Sequence, residues 1–168
     1  LGISLRNISL STCGLPEKIR ELADSGYTVT LTISLHAPND EERKKIMPVA
    51  KKWSIDEVLD AAKYYFDKTG RRIIFEYSLI AGENSSKTDA VKLANLLAKL
   101  NCHVNLINLN YVKERGLKGA DKDTVKSFME TLTAKGISNT LRRSMGNDVM
   151  GACGQLRNSY INKEIKEN

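Results

Sequence analysis

The strongest constraint in this 168-residue chain is an alternation. Segments with a two-residue apolar period give way repeatedly to segments with a period near 3.6, joined by turn-rich stretches. Residues 7–11 alternate apolar and polar, then turn at Cys13-Gly14. Pro16, suited to a first helical turn, opens an amphipathic stretch with Ile19, Leu22 and Ala23 on one face, ending near Gly26. Residues 27–34 are dense in β-branched side chains and predict a buried strand, broken at Leu35-His36-Ala37-Pro38. Asn39 with Asp40, Glu41 and Glu42 at one end, and Lys44 and Lys45 at the other, matches the dipole of a short helix. Ser54 followed by Glu57 has the capping-box spacing, ahead of Ile55, Val58, Leu59, Ala62, Tyr65 and Phe66 on one helical face that stops at Gly70. Then come a strand at 72–80, a helix at 87–100, a strand at 103–108, a basic loop at 113–119, a helix opened by Asp121, a short strand at 138–142 and a Gly146-Asn147-Asp148 loop.

Crossovers of this length demand parallel pairing, so the expected fold is α/β: a partial (β/α) barrel of mainly parallel strands with helices on one face. Residues 1–168 are expected to form part of one such domain, because five strands leave a barrel half closed and the first strand lacks an upstream partner. Its exposed edges invite self-association. The absence of an initiator methionine points the same way. A content of 41% hydrophobic and 27% charged residues fits a packed globular chain rather than a disordered one. With 26 basic and 20 acidic residues, a net charge of +6 and a pI near 9.2, polyanionic partners are favoured. No apolar run is long enough for a membrane helix and the first residues lack a signal-peptide layout, so a cytoplasmic protein with no membrane partner is expected. The three cysteines, Cys13, Cys102 and Cys153, have no paired spacing and exclude a self-contained metal site or a disulfide framework.

Parallel α/β architectures gather reactive groups at the carboxyl ends of their strands. That rule selects Ser11-Thr12-Cys13-Gly14, Ser34-Leu35-His36, Glu76-Tyr77, Asn108 to Asn110 and Gly151-Ala152-Cys153-Gly154-Gln155. Each has a plain structural alternative. Ser11 and Thr12 could cap the next helix, His36 could be a satisfied loop histidine, Glu76 could pair with an arginine, and Asn110 could turn a loop. Cys13 and Cys102, beside apolar sequence, are expected to be buried and inert. Cys153 differs, since flanking glycines strip bulk from both sides of its thiol.

These same segments, in order from Ser11-Thr12-Cys13-Gly14 through Ile33-Ser34-Leu35-His36-Ala37-Pro38-Asn39-Asp40, Phe75-Glu76-Tyr77 and His103-Val104-Asn105-Leu106-Ile107 to Ala152-Cys153-Gly154-Gln155-Leu156, carry a likeness. The chain resembles the radical S-adenosylmethionine enzymes that methylate adenine in 23S rRNA. It is most similar to the carbon-2 (RlmN-type) branch, with the carbon-8 methyltransferases as near relatives. The resemblance implies a radical SAM barrel, an RNA methyltransferase making 2-methyladenosine in 23S rRNA and tRNA, and S-adenosylmethionine contacts at Ser11, Ser34, Leu35, His36 and Asn110. It implies that Cys153 is the catalytic cysteine that first accepts a methyl group. It further implies a [4Fe-4S] cluster with an electron donor to reduce it. The chemistry is coherent, because adenine carbon-2 has no lone pair with which to attack a methyl sulfonium, and a carbon radical delivered from a tethered sulfur avoids that obstacle.

Departures from the family pattern are equally informative. The cluster motif, three cysteines spaced four and three apart, is absent from this chain, and so is the upstream cysteine that resolves the protein–RNA adduct. The chain therefore looks like the carboxyl-terminal half of the catalytic domain, expected to be inactive alone. Asn108 stands where proline is usual, Cys13 where a small residue such as serine is usual, and Met150-Gly151 where aspartate-alanine is usual. The competing reading from another class is a non-catalytic α/β module that binds RNA through basic loops.

Overall fold

The computed structural model describes residues 2–112 and 115–142. Five strands, β1 (Ser9–Thr12), β2 (Thr30–Ser34), β3 (Ile73–Leu79), β4 (Cys102–Asn108) and β5 (Ser138–Leu141), form one sheet in the order β1-β2-β3-β4-β5. Every pairing is parallel, with Ser11 beside Thr32, Ser34 beside Glu76, Glu76 beside Asn105 and Asn105 beside Thr140. Five helices link the strands: α1 (Pro16–Asp24), α2 (Asp40–Ile46), α3 (Ile55–Thr69), α4 (Lys87–Leu97) and α5 (Lys122–Ala134). With strands in sequential order and right-handed crossovers, all connections fall on the same side of the sheet.

Burial confirms that one-sided layering. Ile73, Phe75, Tyr77 and Leu79 of β3 are buried against the helices, and so are Leu31, Ile33, Val104 and Leu106 of the neighbouring strands. They meet Ile19, Val58, Tyr65, Leu93, Phe128 and Leu132 from α1, α3, α4 and α5 in one core. Tyr77 and Phe128 touch with ring centroids 5.4 Å apart, a favourable tilted contact. Tyr65 reaches back from α3 to donate to the Val29 carbonyl at 2.9 Å, tying the longest helix to the start of β2. The opposite face is polar: Ser11, Thr32, Ser34, Glu76, Ser78 and Asn105 alternate with the core residues along the strands.

Local sequence accounts for the element ends. Ser54 and Glu57 make the reciprocal capping box at α3, Ser86 and Asp89 make another at α4, and Asn39 and Asp121 cap α2 and α5. Gly70 ends α3 at φ 65°, a left-handed conformation that glycine adopts without strain. The opening segment begins as a 3-10 turn at Leu5–Asn7 before the short strand, and α1 takes no side-chain cap from Ser11 or Thr12. Its N-cap is Leu15, with Pro16 at the first helical position, while the Thr12 hydroxyl accepts from the Gly14 N–H at 3.2 Å. None of the described helices is long and apolar enough to cross a membrane.

Candidate functional site

Three successive strand-to-helix loops, after β1, β2 and β3, meet at the carboxyl edge of the sheet. Ser11 lies on β1 and Ser34 ends β2, both on the polar face, and their hydroxyls have no hydrogen-bond partner among the described residues. Leu35 behaves differently. Its side chain is wholly buried in the core, its N–H donates to the Glu76 carbonyl at 3.0 Å, and its carbonyl accepts from Arg43 Nε at 3.3 Å. Leu35 thus shapes the edge through its backbone. Asn110 is half-buried in the loop after β4, whose start is fixed by the Leu109 N–H donating to the Leu79 carbonyl at 3.2 Å. Cys153 and the 151–155 segment lie outside the described residues, as do Lys113 and the 146–148 loop.

His36 is the centre of the arrangement. At φ 60° it is the one non-glycine residue with positive φ among the described residues, a conformation that costs an L-residue about 1–2 kcal/mol. Its ring Nδ1 accepts the Ser78 N–H at 3.1 Å, and its own N–H donates to the Glu76 carbonyl at 3.2 Å. Burial, with the nearby Arg43 charge as the second cause, holds the imidazole well below its ordinary range, at about 4. At neutral pH it is therefore uncharged. With Nδ1 occupied as an acceptor, the proton sits on Nε2, which has no partner among the described residues.

Arg43 locks the first two loops together. It is fully buried, and its guanidinium donates to the carbonyls of Cys13 at 2.8 Å, Ser34 at 3.3 Å and Leu35 at 3.3 Å. No carboxylate among the described residues forms an ion pair with it, and burial lowers its pKa from the usual value. A Cβ on Gly14 would sit 3.1 Å from Arg43 Nη2 and 3.2 Å from the Val58 methyls, so the close approach of this loop to the arginine requires glycine. Asn84 performs the same service one strand further on, between His36 and β3.

The remaining candidates divide. Glu76 faces the polar side and makes no ion pair among the described residues, contrary to the arginine pairing expected for it. Cys102 is buried as expected, and burial pushes its thiol up to about 11, but Cys13 is exposed. The expectation of a buried Cys13 fails because β1 is an edge strand and its following loop is covered on one side only. No group of three histidine, cysteine or acidic residues that could hold a metal occurs among the described residues, so the residues present do not fit an iron–sulfur cluster. A cleft of about 790 Å³ runs along the flank of α5 beside Leu141, and His36 is not among its lining residues. A smaller one of about 260 Å³ lies next to the candidate edge, between Glu42, Lys45, Ile80, Asn84 and Arg115.

Arg43 and Asn84 were not evident in the sequence. Arg43 sits in a run of charges that reads as a solvated helix end, and its one distinguishing sign is that Ile46 and Met47 follow at three and four residues, on its own helical face. Asn84 lies in a Gly-Glu-Asn-Ser-Ser loop with no such sign.

No family model matches the chain. It is 56% identical over 161 residues to a Clostridium perfringens (strain SM101 / Type A) protein named "Probable dual-specificity RNA methyltransferase RlmN", covering 96% of this chain and 46% of that protein. A Lachnospira eligens protein of the same name is 53% identical over 161 residues, again covering 96% and 46%. The chain thus spans about half the length of the curated relatives it matches. The crystal structure of a radical SAM methyltransferase from Sphaerobacter thermophilus superposes with a TM-score of 0.87 at 42% identity, covering 91% of this chain and 45% of that one. A domain of pyruvate-formate lyase-activating enzyme from Bacteroides vulgatus ATCC 8482, at 16% identity and TM-score 0.62, shares the fold alone. In sequence and in fold, the chain is a homologue of the RlmN-type radical S-adenosylmethionine RNA methyltransferases over about half of their length.

Proposed function

We propose that these residues form the carboxyl-terminal part of the catalytic domain of an RNA methyltransferase that makes 2-methyladenosine in 23S rRNA and tRNA. The observation that carries the reading is the identity above 50% along almost the whole chain to proteins named as dual-specificity RNA methyltransferases. The strand-end geometry around His36 supports it. S-adenosylmethionine, when bound, supplies the methyl group. The hydroxyls of Ser11 and Ser34, without a partner among the described residues, and the Nε2–H of His36 offer hydrogen bonds to its polar groups, and Asn110 extends the same carboxyl edge. A neutral imidazole is suited to that role, because it donates without placing a second positive charge beside a sulfonium. The chain's net charge of +6 favours an RNA substrate, whose adenine must be presented out of its stack. Cys153, with Gly151 and Gly154 close on either side, is the proposed methyl acceptor: its thiolate would form the new S–CH3 bond as the sulfonium S–CH3 bond breaks and neutral S-adenosylhomocysteine leaves. Cluster ligands and the electron-donor contact belong to sequence other than this chain, so the chain alone is expected to be inactive.

Mass spectrometry of 23S rRNA and tRNA from cells carrying the full-length protein tests this. The expected product is 2-methyladenosine, abolished by Cys153→Ala together with any S-methylcysteine mark. Exclusive formation of 8-methyladenosine, or activity retained in Cys153→Ala, refutes the reading. Salt-sensitive RNA binding with no methylation in either form would favour the non-catalytic module instead.

A further inference from the structure

Asn84 is 2% exposed and uses its whole side-chain amide on backbone groups. Its Oδ1 accepts the Ile80 N–H at 2.8 Å, and its Nδ2 donates to the Ser78 carbonyl at 2.7 Å and to the His36 carbonyl at 2.8 Å. Its own carbonyl accepts the Tyr77 hydroxyl at 2.9 Å, and Tyr77 is fixed in the core against Phe128. The chain of support runs from the core through Tyr77 to Asn84, and from Asn84 to the His36 peptide. Ser78 is engaged from both sides: its N–H donates to the His36 ring and its carbonyl accepts from Asn84.

The backbone of His36 needs such support. A left-handed conformation costs histidine about 1–2 kcal/mol, which surrounding contacts must offset. Without the Asn84 donor, the His36 and Ser78 carbonyls lose their partner, the His36 peptide is released toward negative φ, and Nδ1 leaves the Ser78 N–H. Either ring nitrogen can then carry the proton.

We infer that Asn84 is a positioning residue that holds the His36 peptide in its left-handed conformation, so that the ring stays docked on Ser78 and presents Nε2–H to the bound cofactor. Only the identity of that cofactor rests on the proposed function; the coupling of Asn84 to the His36 tautomer stands on the hydrogen bonds alone.

The test uses the full-length protein labelled with 15N-histidine. In the wild type, NMR is expected to show His36 as a single Nε2–H tautomer at neutral pH. Asn84→Ala is expected to give mixed tautomers and to raise the KM for S-adenosylmethionine by at least about tenfold while kcat changes less than about threefold. Asn84→Ser, which keeps one donor, should fall between. In a His36→Asn background, whose side chain tolerates left-handed backbone but has no imidazole, adding Asn84→Ala should raise KM by less than about twofold more. An Nδ1–H tautomer in the wild type, or Asn84 and His36 effects that simply multiply, overturns the inference. The wild-type tautomer decides even where Asn84→Ala fails to fold. A wild type that shows the Nε2–H tautomer and its loss in Asn84→Ala but binds no S-adenosylmethionine sinks the proposed function and leaves the positioning role intact.

Discussion

Replacing Arg43 tests whether the carboxyl edge is held by a buried cation or merely contains one. The arginine is fully buried and donates to three carbonyls, one at 2.8 Å and two at 3.3 Å. A charge-assisted bond of good length is worth about 2 kcal/mol and the two long ones about 1 kcal/mol each, roughly 4 kcal/mol together. Against this stands the cost of burying a guanidinium that has no carboxylate partner among the described residues and whose Nη1 makes no hydrogen bond; removing the charge relieves that cost and offsets part of the loss. Arg43→Met, close in length, should therefore destabilise by about 2–3 kcal/mol. Arg43→Ala should lose about 2 kcal/mol more for the cavity it leaves. Urea denaturation reads the effect: with a slope near 2 kcal/mol/M, the methionine variant's midpoint should drop by about 1–1.5 M at unchanged slope. Hydrogen exchange should quicken first at the Cys13 and Leu35 loops. An Arg43→Met protein as stable as the wild type would refute the reasoning, because it would mean that desolvation cancels all three bonds.

The held-down His36 pKa makes stability depend on pH. The unfolded histidine, near 6.5, binds a proton that the folded one at about 4 refuses, so the contribution is complete above pH 6.5 and is lost as pH falls toward 4. Its full size is roughly 3 kcal/mol, and a wild-type minus His36→Asn difference that stays flat from pH 7 to 4.5 would contradict it. Cys13, exposed, should react with a thiol alkylating agent far faster than Cys102, whose buried thiol is pushed up to about 11; equal rates would disprove the placement of β1 at the sheet edge. Ser54→Ala removes one half of the α3 capping box and should cost about 1 kcal/mol in thermal or urea unfolding, with Glu57→Ala costing little more on top of it.

What the sequence made legible was local. Capping pairs such as Ser54 with Glu57, the apolar face of α3 and the β-branched run of β2 depend on neighbours a few residues away, so their spacing is enough to read them. Parallel pairing followed from crossover length. The candidate residues were named from strand-end placement and family likeness. Their support was not, since Arg43 acts across 30 residues on Cys13 and Asn84 across 48 on His36. The alternative of Ser11 or Thr12 as a helix cap failed for a related reason: Gly14 must approach Arg43, so the loop runs on to Leu15 before α1 begins.

The two support residues answer a problem specific to parallel sheets. Where parallel strands end together, carbonyls beyond the last ladder bond point the same way with no partner, and a loop crowded there must find donors or admit water. Arg43 supplies donors to the carbonyls of Cys13, Ser34 and Leu35, and Asn84 to those of His36 and Ser78. Five backbone acceptors at the carboxyl ends of three adjacent strands are thus met by two buried side chains. Among the described residues, the groups left over at this edge include the Ser11 and Ser34 hydroxyls, His36 Nε2–H and the buried Nη1 of Arg43. An edge with these backbone acceptors already met excludes water at lower cost, and its remaining donors keep their directions when a ligand arrives. That pre-organisation lowers the ordering cost of binding, which is why disturbing Asn84 should appear in KM before it appears in kcat.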